Sequence, residues 1–204
     1  RRLIAACDKD PELARQTALA CKRDPLFYIN GFLWILQPKS APSAMADLGL
    51  WAPMILRPKQ EDLVMEMIDC IGSDHFVVDK SREEGVTWVS LFVFEWLWHF
   101  YKDVMLLMGS AKAELVDKRG DEKALFTKLD QILSPARMPS WLMPEFERKE
   151  MYLKNLDTGS VLTGEANSPN FGRSGRYLAV FGDELAAWEK TGHLAGANTL
   201  SVTN

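Results

Sequence analysis

Cysteine is scarce in this chain: Cys7, Cys21 and Cys70 are three among 204 residues, odd in number and too far apart for a CxxC pair. That argues against a disulfide framework and fits a reducing compartment with buried thiols. Histidine is just as scarce. His75, His99 and His193 show neither HExxH spacing nor a neighbouring cysteine, so zinc has little support and solvated or core histidines are expected. An excess of positive charge is also lacking. Lys and Arg total 24 against 28 Asp and Glu, a net charge of -4, so a grip on nucleic acid would need a local patch or further parts of a protein. No apolar run reaches the roughly 20 residues that span a bilayer. The most apolar window, Val86 to Tyr101, contains Glu95 and His99 and reads as a buried helix, so no membrane partner is expected. The opening Arg1-Arg2-Leu3-Ile4 leads into a charged helical segment and does not have the pattern of a signal peptide. The chain begins without Met, which is read as the mark of an excerpt or a processed form.

What is present is enough apolar material, 47% of residues with 25% charged, for one substantial core. Asp10-Pro11-Glu12 predicts a helix to about Cys21, because the Asp side chain can accept first-turn amides and Pro sits where no donor is needed. Asp24-Pro25 repeats the signal. Leu26, Phe27, Ile29, Phe32, Leu33 and Leu36 then predict a second, strongly apolar helix. Residues Gln37 to Pro58 read as a connector, and Arg57-Pro58-Lys59-Gln60 opens a helix that stops near Gly72. From there the pattern becomes strand, loop, helix: Phe76-Val77-Val78-Asp79, a polar turn from Lys80 to Gly85, and about four helical turns from Thr87. Further apolar runs at Val104–Met108, Val161–Gly164 and Tyr177–Phe181, with a helix over Lys123–Leu133, predict a mostly parallel sheet with helices on both faces.

Two segments carry chemistry. A phosphate loop needs small residues that turn backbone amides toward anionic oxygens, a cation for the outer phosphates, and a hydroxyl for Mg²⁺. Lys80-Ser81-Arg82-Glu83-Glu84-Gly85-Val86-Thr87 holds these elements in altered order: Gly85 and Thr87 fit GxxxxGK[ST], Lys80 stands at the first Gly, and Val86 replaces the lysine. The apolar run ending in Asp183-Glu184 suits a metal-holding carboxylate beside a base that orients water. Each alone is a weak signal, the acid pair serving equally well as a solvated helix start. Together they favour nucleotide hydrolysis.

These residues resemble the ATPase half of the large terminase subunit of tailed phages or prophages, whose altered phosphate loop runs S-R-x-x-G-x-[ST], some with lysine at the front. The resemblance extends over most of residues 24 to 204, through Asp24-Pro25-Leu26-Phe27-Tyr28-Ile29-Asn30, Leu56-Arg57-Pro58-Lys59-Gln60, Leu115 to Asp121, Gly172 to Arg176, and Asp183-Glu184-Leu185-Ala186. It implies a P-loop NTPase of the ASCE type over residues 56–204, preceded by a helical segment and connector over 1–55. ATP and Mg²⁺ would be the cofactors. Lys80 would replace the late lysine, with Ser81, Arg82, Glu83, Glu84, Gly85, Val86 and Thr87 forming the loop. Arg82 would face the terminal phosphate, Glu184 would act on the attacking water, and Thr87 and Asp183 would hold the metal. Gln60 would bond the adenine edge. The ordinary alternatives are a surface ion pair for Arg82 and an exposed helix-start residue for Gln60. Arg173 and Arg176 suit DNA, phosphate, a neighbouring subunit or plain solvent. Gly182 departs from the family, which has a bulky apolar residue there, and is expected to loosen strand packing.

By the same resemblance, the parent machine pumps double-stranded DNA into a procapsid in the cytoplasm of a bacterial host. Its partners would be a portal protein and a small terminase subunit, and it would act as a homo-oligomeric ring. The family's coupling strand and RNase H-like nuclease domain are expected to lie outside this chain, so nuclease activity is not expected of it. A helicase-like DNA-dependent ATPase and a non-hydrolysing nucleotide-binding assembly module are the two alternatives.

Overall fold

The computed structural model describes residues 2–36, 51–79, 84–173 and 175–188. The chain divides into two compact units, one of residues 1–64 with 131–143 and the other of 65–130 with 144–204. A later segment, residues 131–143, thus returns to the first unit.

The first unit opens with three helices, α1 (Arg2–Cys7), α2 (Pro11–Arg23) and α3 (Pro25–Phe32). Both predicted starts hold. The Asp10 carboxylate accepts the amides of Glu12 and Leu13 at 3.0 and 3.1 Å, and Asp24 accepts that of Phe27 at 2.9 Å. The second helix was expected to include Leu33 and Leu36. Instead α3 stops at Phe32, Leu33 turns extended (φ -92°, ψ 157°), and Trp34–Leu36 is strand β1, paired antiparallel with β2 (Trp51–Pro53). Bulky Trp34 and Ile35 fit a pleated ladder better than a helix end. Tyr28, Ile29 and Phe32 are buried, and Phe32 meets Trp141 edge-on at 5.7 Å. Helix α4 (Pro58–Cys70) begins in this unit, and its residues from Met65 belong to the second. None of the three cysteines is in a disulfide, with Cys7 and Cys21 buried and Cys70 only partly so.

The second unit is built on a five-stranded mixed sheet in the order β4-β5-β6-β3-β7. Its strands are β3 (Met105–Ser110), β4 (Phe146–Lys149), β5 (Tyr152–Asn155), β6 (Val161–Ala166) and β7 (Ala179–Gly182). Strand β3 runs parallel to both of its neighbours, β6 and β7, while β4–β5 and β5–β6 are antiparallel. The sheet is therefore half antiparallel, not mostly parallel, because a hairpin unforeseen in the sequence adds two strands. The expected strand at Phe76–Asp79 does not form among the described residues. Val77 is 73% exposed, and an apolar run becomes a strand only where a neighbour offers a hydrogen-bond ladder.

Helices α5 (Val86–Phe100), α6 (Ala113–Val116) and α7 (Leu125–Ile132) contact one face of the sheet. Phe94 of α5 meets Phe181 at 5.8 Å, and Trp98 donates its indole N–H to the Leu153 carbonyl at 3.2 Å. Val116 and Phe126 close over Gly164, where an added Cβ would meet each at 2.6 Å. The opposite face of β3 and β7 is covered by loop aromatics, Phe171 and Trp188, packed on Leu107. With α1–α4, this makes seven α-helices among the described residues, and none is long and apolar enough to cross a membrane. The apolar window at Val86 is the buried helix expected. Its Glu95 is fully buried and bonded to His99 Nδ1 at 2.8 Å, so two polar groups satisfy each other inside α5.

Candidate functional site

The site forms where the carboxyl ends of β3 and β7 meet the amino end of α5. Gly85 sits before the helix at φ 76°, a left-handed conformation that L side chains rarely adopt, so the turn into α5 favours glycine. The turn brings Gly85, Val86, Thr87 and Trp88 to the wall of a cleft of 360 Å³. Backbone amides in the first turn of a 15-residue helix have no carbonyl partner within it, so they favour anions there.

Across the cleft, β7 delivers Asp183 and Glu184. Thr87 Oγ1 donates to Asp183 Oδ1 at 2.8 Å, joining residues 96 positions apart. The acid turn is held on its far side as well. The Asp183 amide donates to the Gly109 carbonyl at 2.8 Å, and Trp188 Nε1 donates to the Asp183 carbonyl at 3.0 Å. Glu184 adopts φ 54°, ψ 46° and starts a short 3-10 turn, Leu185–Ala187. For a residue with a Cβ this is strained by about 1–3 kcal/mol, a feature that gathers at functional sites. Asp103 and Met151 are also left-handed, in other turns, so it is the position of Glu184 in the cleft that matters.

Gly182 does not loosen the sheet as expected. A Cβ there would meet Leu185 Cδ2 at 2.7 Å and Trp188 Cη2 at 3.6 Å, so side chains from the following turn occupy the space. Its register partner is Gly109, where a Cβ would fall 2.2 Å from Phe171. Phe171 and Trp188 then pack edge to face at 4.8 Å. Two paired glycines thus seat two buried aromatics, and the second aromatic holds the carbonyl of Asp183.

Two lysines complete the cleft, and the sequence reading passed over both. Lys123 and Lys128 line it with Ser110 and Leu115. Lys128, on α7, is half-buried and donates through Nζ to the Lys123 carbonyl at 2.5 Å. Burial pushes its ammonium below the usual value, while the carboxylates of Asp183, Asp121, Glu184 and Glu122 pull the other way. No local motif marks these lysines; only the fold brings them to one cleft with Asp183 and Glu184.

Of the expected site residues, the structure brings together Gly85, Val86, Thr87, Asp183 and Glu184. Lys80, Ser81, Arg82 and Glu83 lie outside the described residues, as does His193. Glu84 is exposed beside the cleft wall at Gly85. Gln60 is not exposed: it belongs to the first unit, is 8% accessible, and accepts the Arg57 amide at 3.0 Å. Arg173 and Arg176 are exposed, and Glu165 Oε2 accepts the Gly172 amide between β6 and this loop at 2.9 Å.

Among the described residues no group of three His, Cys, Asp or Glu forms a metal cage. A Mg²⁺ site shared with a nucleotide needs none, because Mg²⁺ is commonly held by one or two protein oxygens plus phosphates and water. The hydroxyl of Thr87 and the carboxylate of Asp183 are hard oxygen donors already within hydrogen-bond distance of each other, and so fit that ion. No family model matches the chain, and no curated protein matches it either.

Proposed function

We propose that this chain is the ATPase core of a viral DNA-packaging motor, a P-loop domain of the ASCE type similar to that of large terminase subunits. The observation that carries the reading is the 2.8 Å bond from Thr87, in the first turn of α5, to Asp183 at the end of β7. It supports a shared Mg²⁺ position between an altered phosphate loop and an acidic strand end, the two weak signals of the sequence. Left-handed Gly85, the amino end of α5 and two lysines line the same cleft and favour an anion there.

In this reading Thr87 and Asp183 hold Mg²⁺, directly or through water, and Lys80 and Arg82 reach the phosphates. Glu184 accepts a hydrogen bond from the attacking water. The phosphorus–oxygen bond to the leaving ADP breaks as the bond to that water oxygen forms, and the water's proton is released, giving ADP, inorganic phosphate and a proton. Such a reaction needs positioning and charge stabilisation more than covalent participation by the protein. In the whole machine the domain would act in a portal-docked ring with a small terminase subunit, moving double-stranded DNA in the cytoplasm of a bacterial host.

The test is Glu184→Gln in the full-length protein assembled with DNA and portal. ATP binding should persist while DNA-stimulated phosphate release falls by at least ~100-fold. Unchanged turnover would remove Glu184 from the chemistry. Binding without phosphate release by the parent would favour the non-hydrolysing assembly module, and strand separation would favour the helicase-like reading.

A further inference from the structure

Val86 stands where a phosphate loop ordinarily supplies its lysine, and it lines the cleft without contributing a charge. The cleft nevertheless holds a cation from another element. Lys128 lies three residues after Leu125 and four before Ile132 on α7, both buried, so it sits along the apolar stripe of its helix. A lysine in such a place loses hydration, which is unfavourable unless an anion faces it. Its Nζ is held to the Lys123 carbonyl at 2.5 Å, and both lysines line the same cleft as Gly85 and Thr87. The charges acting on it include Asp183 and Glu184, the acids assigned above to the metal and the water.

We propose that Lys128 is a phosphate-binding cation of this cleft, contacting the polyphosphate chain of the nucleotide from α7. The proposal rests on the nucleotide-binding reading above and adds a residue to it. Without ligand, Asp183 and Glu184 offset the ammonium charge. With Asp183 holding Mg²⁺ in that reading, the phosphates of a bound nucleotide would supply the anion that Lys128 faces. An ammonium contacts phosphate as a point charge from a flexible stem, so the element that delivers it can differ from the loop itself. The recognised chemistry is the phosphate chain, not the base. ATP, ADP and inorganic tripolyphosphate should therefore all depend on Lys128.

The experiment is calorimetric titration of ATP, ADP and tripolyphosphate, each with Mg²⁺, into the parent chain, Lys128→Gln and Lys128→Arg. Lys102→Gln controls for the lost charge, since Lys102 is exposed ahead of β3 and the cleft lies at that strand's other end. Lys128→Gln should weaken all three ligands by roughly tenfold to a hundredfold, the usual effect of losing a charge-assisted contact. Lys128→Arg should recover most of that affinity, and Lys102→Gln should stay within about twofold of the parent. A second measurement uses only the parent: Mg²⁺–ATP should protect Lys128, but not Lys102, from amine acetylation read by mass spectrometry. Folded Lys128→Gln that binds all three ligands like the parent, or equal acetylation with and without ATP, overturns the assignment to Lys128 and leaves the ATPase reading standing. A parent chain that binds none of the three ligands overturns both.

Discussion

Gly109 and Phe171 offer a sharp test of how the acid turn is held. An alanine Cβ at 109 would lie 2.2 and 2.5 Å from two ring atoms of Phe171 and 3.0 Å from the Glu165 carbonyl oxygen. The ring is 3% exposed and fixed edge-on against Trp188, so it has little room to move aside. Gly109→Ala should therefore destabilise the second unit by about 1–3 kcal/mol, the range for overpacking a filled interior. Phe171→Leu should also cost about 1–3 kcal/mol by itself, through lost packing. Combined, the two changes should cost less than their sum by at least ~0.5 kcal/mol, because the smaller side chain vacates the space the new methyl needs. Recovery should be incomplete, since the Glu165 backbone oxygen stays in place. Urea unfolding of the four proteins, followed by circular dichroism and tryptophan fluorescence, gives the cycle. A neutral Gly109→Ala, or costs that simply add, would refute the proposed aromatic seat.

Two further outcomes follow from neighbouring contacts. Trp188→Phe removes the 3.0 Å bond to the Asp183 carbonyl and should cost about 1–3 kcal/mol in the same unfolding assay; it should weaken ATP binding more with Mg²⁺ than without, as Asp183 loses its aim. Asp117→Ala should be more damaging, by about 3–5 kcal/mol in melting or urea experiments, because Asp117 accepts two bonds from Arg148, at 2.9 and 2.8 Å, and the Met151 amide at 2.6 Å.

Some of this structure can be read along the chain and some cannot, for physical reasons. Helices α2 and α3 were legible because Asp10 and Asp24 cap them locally, and α5 because its apolar run is long. Strands β3, β6 and β7 announced themselves as apolar runs near their observed limits. The β4–β5 hairpin was hidden, since Phe146-Glu147-Arg148-Lys149 reads as a charged stretch. Arg148 is partly buried there, where Asp117 and Asp130 come from elsewhere to meet it and its guanidinium lies 4.7 Å over the Phe126 ring. Burial draws that guanidinium down, but its bonds to the two carboxylates outweigh this and hold it above its usual value. Phe76–Asp79 failed in the opposite way: its side chains suit a strand, but a ladder depends on a partner, which a local pattern does not report.

The candidate site divides similarly. Thr87, Asp183 and Glu184 were visible as two separated signals, and the fold brings them to one cleft. Gly182 misled because its space is filled by Leu185 and Trp188, from residues read only as following the acids. Lys123 and Lys128 gave no signal, being ordinary helix-region lysines until the fold brings them to the cleft of Thr87 and Asp183.

Whether Thr87 and Asp183 serve one Mg²⁺ under a nucleotide, as proposed, is measured by a calorimetric double-mutant cycle. ATP would be titrated, with Mg²⁺ and with chelator, into the parent, Thr87→Val, Asp183→Asn and the double variant. The parent should bind ATP saturably and more tightly with Mg²⁺, each single variant should lose most of that strengthening, and the double variant should be little worse than the weaker single, because both side chains serve one ion. No saturable ATP binding by the folded parent, or a Mg²⁺ dependence that both substitutions leave intact, would contradict it.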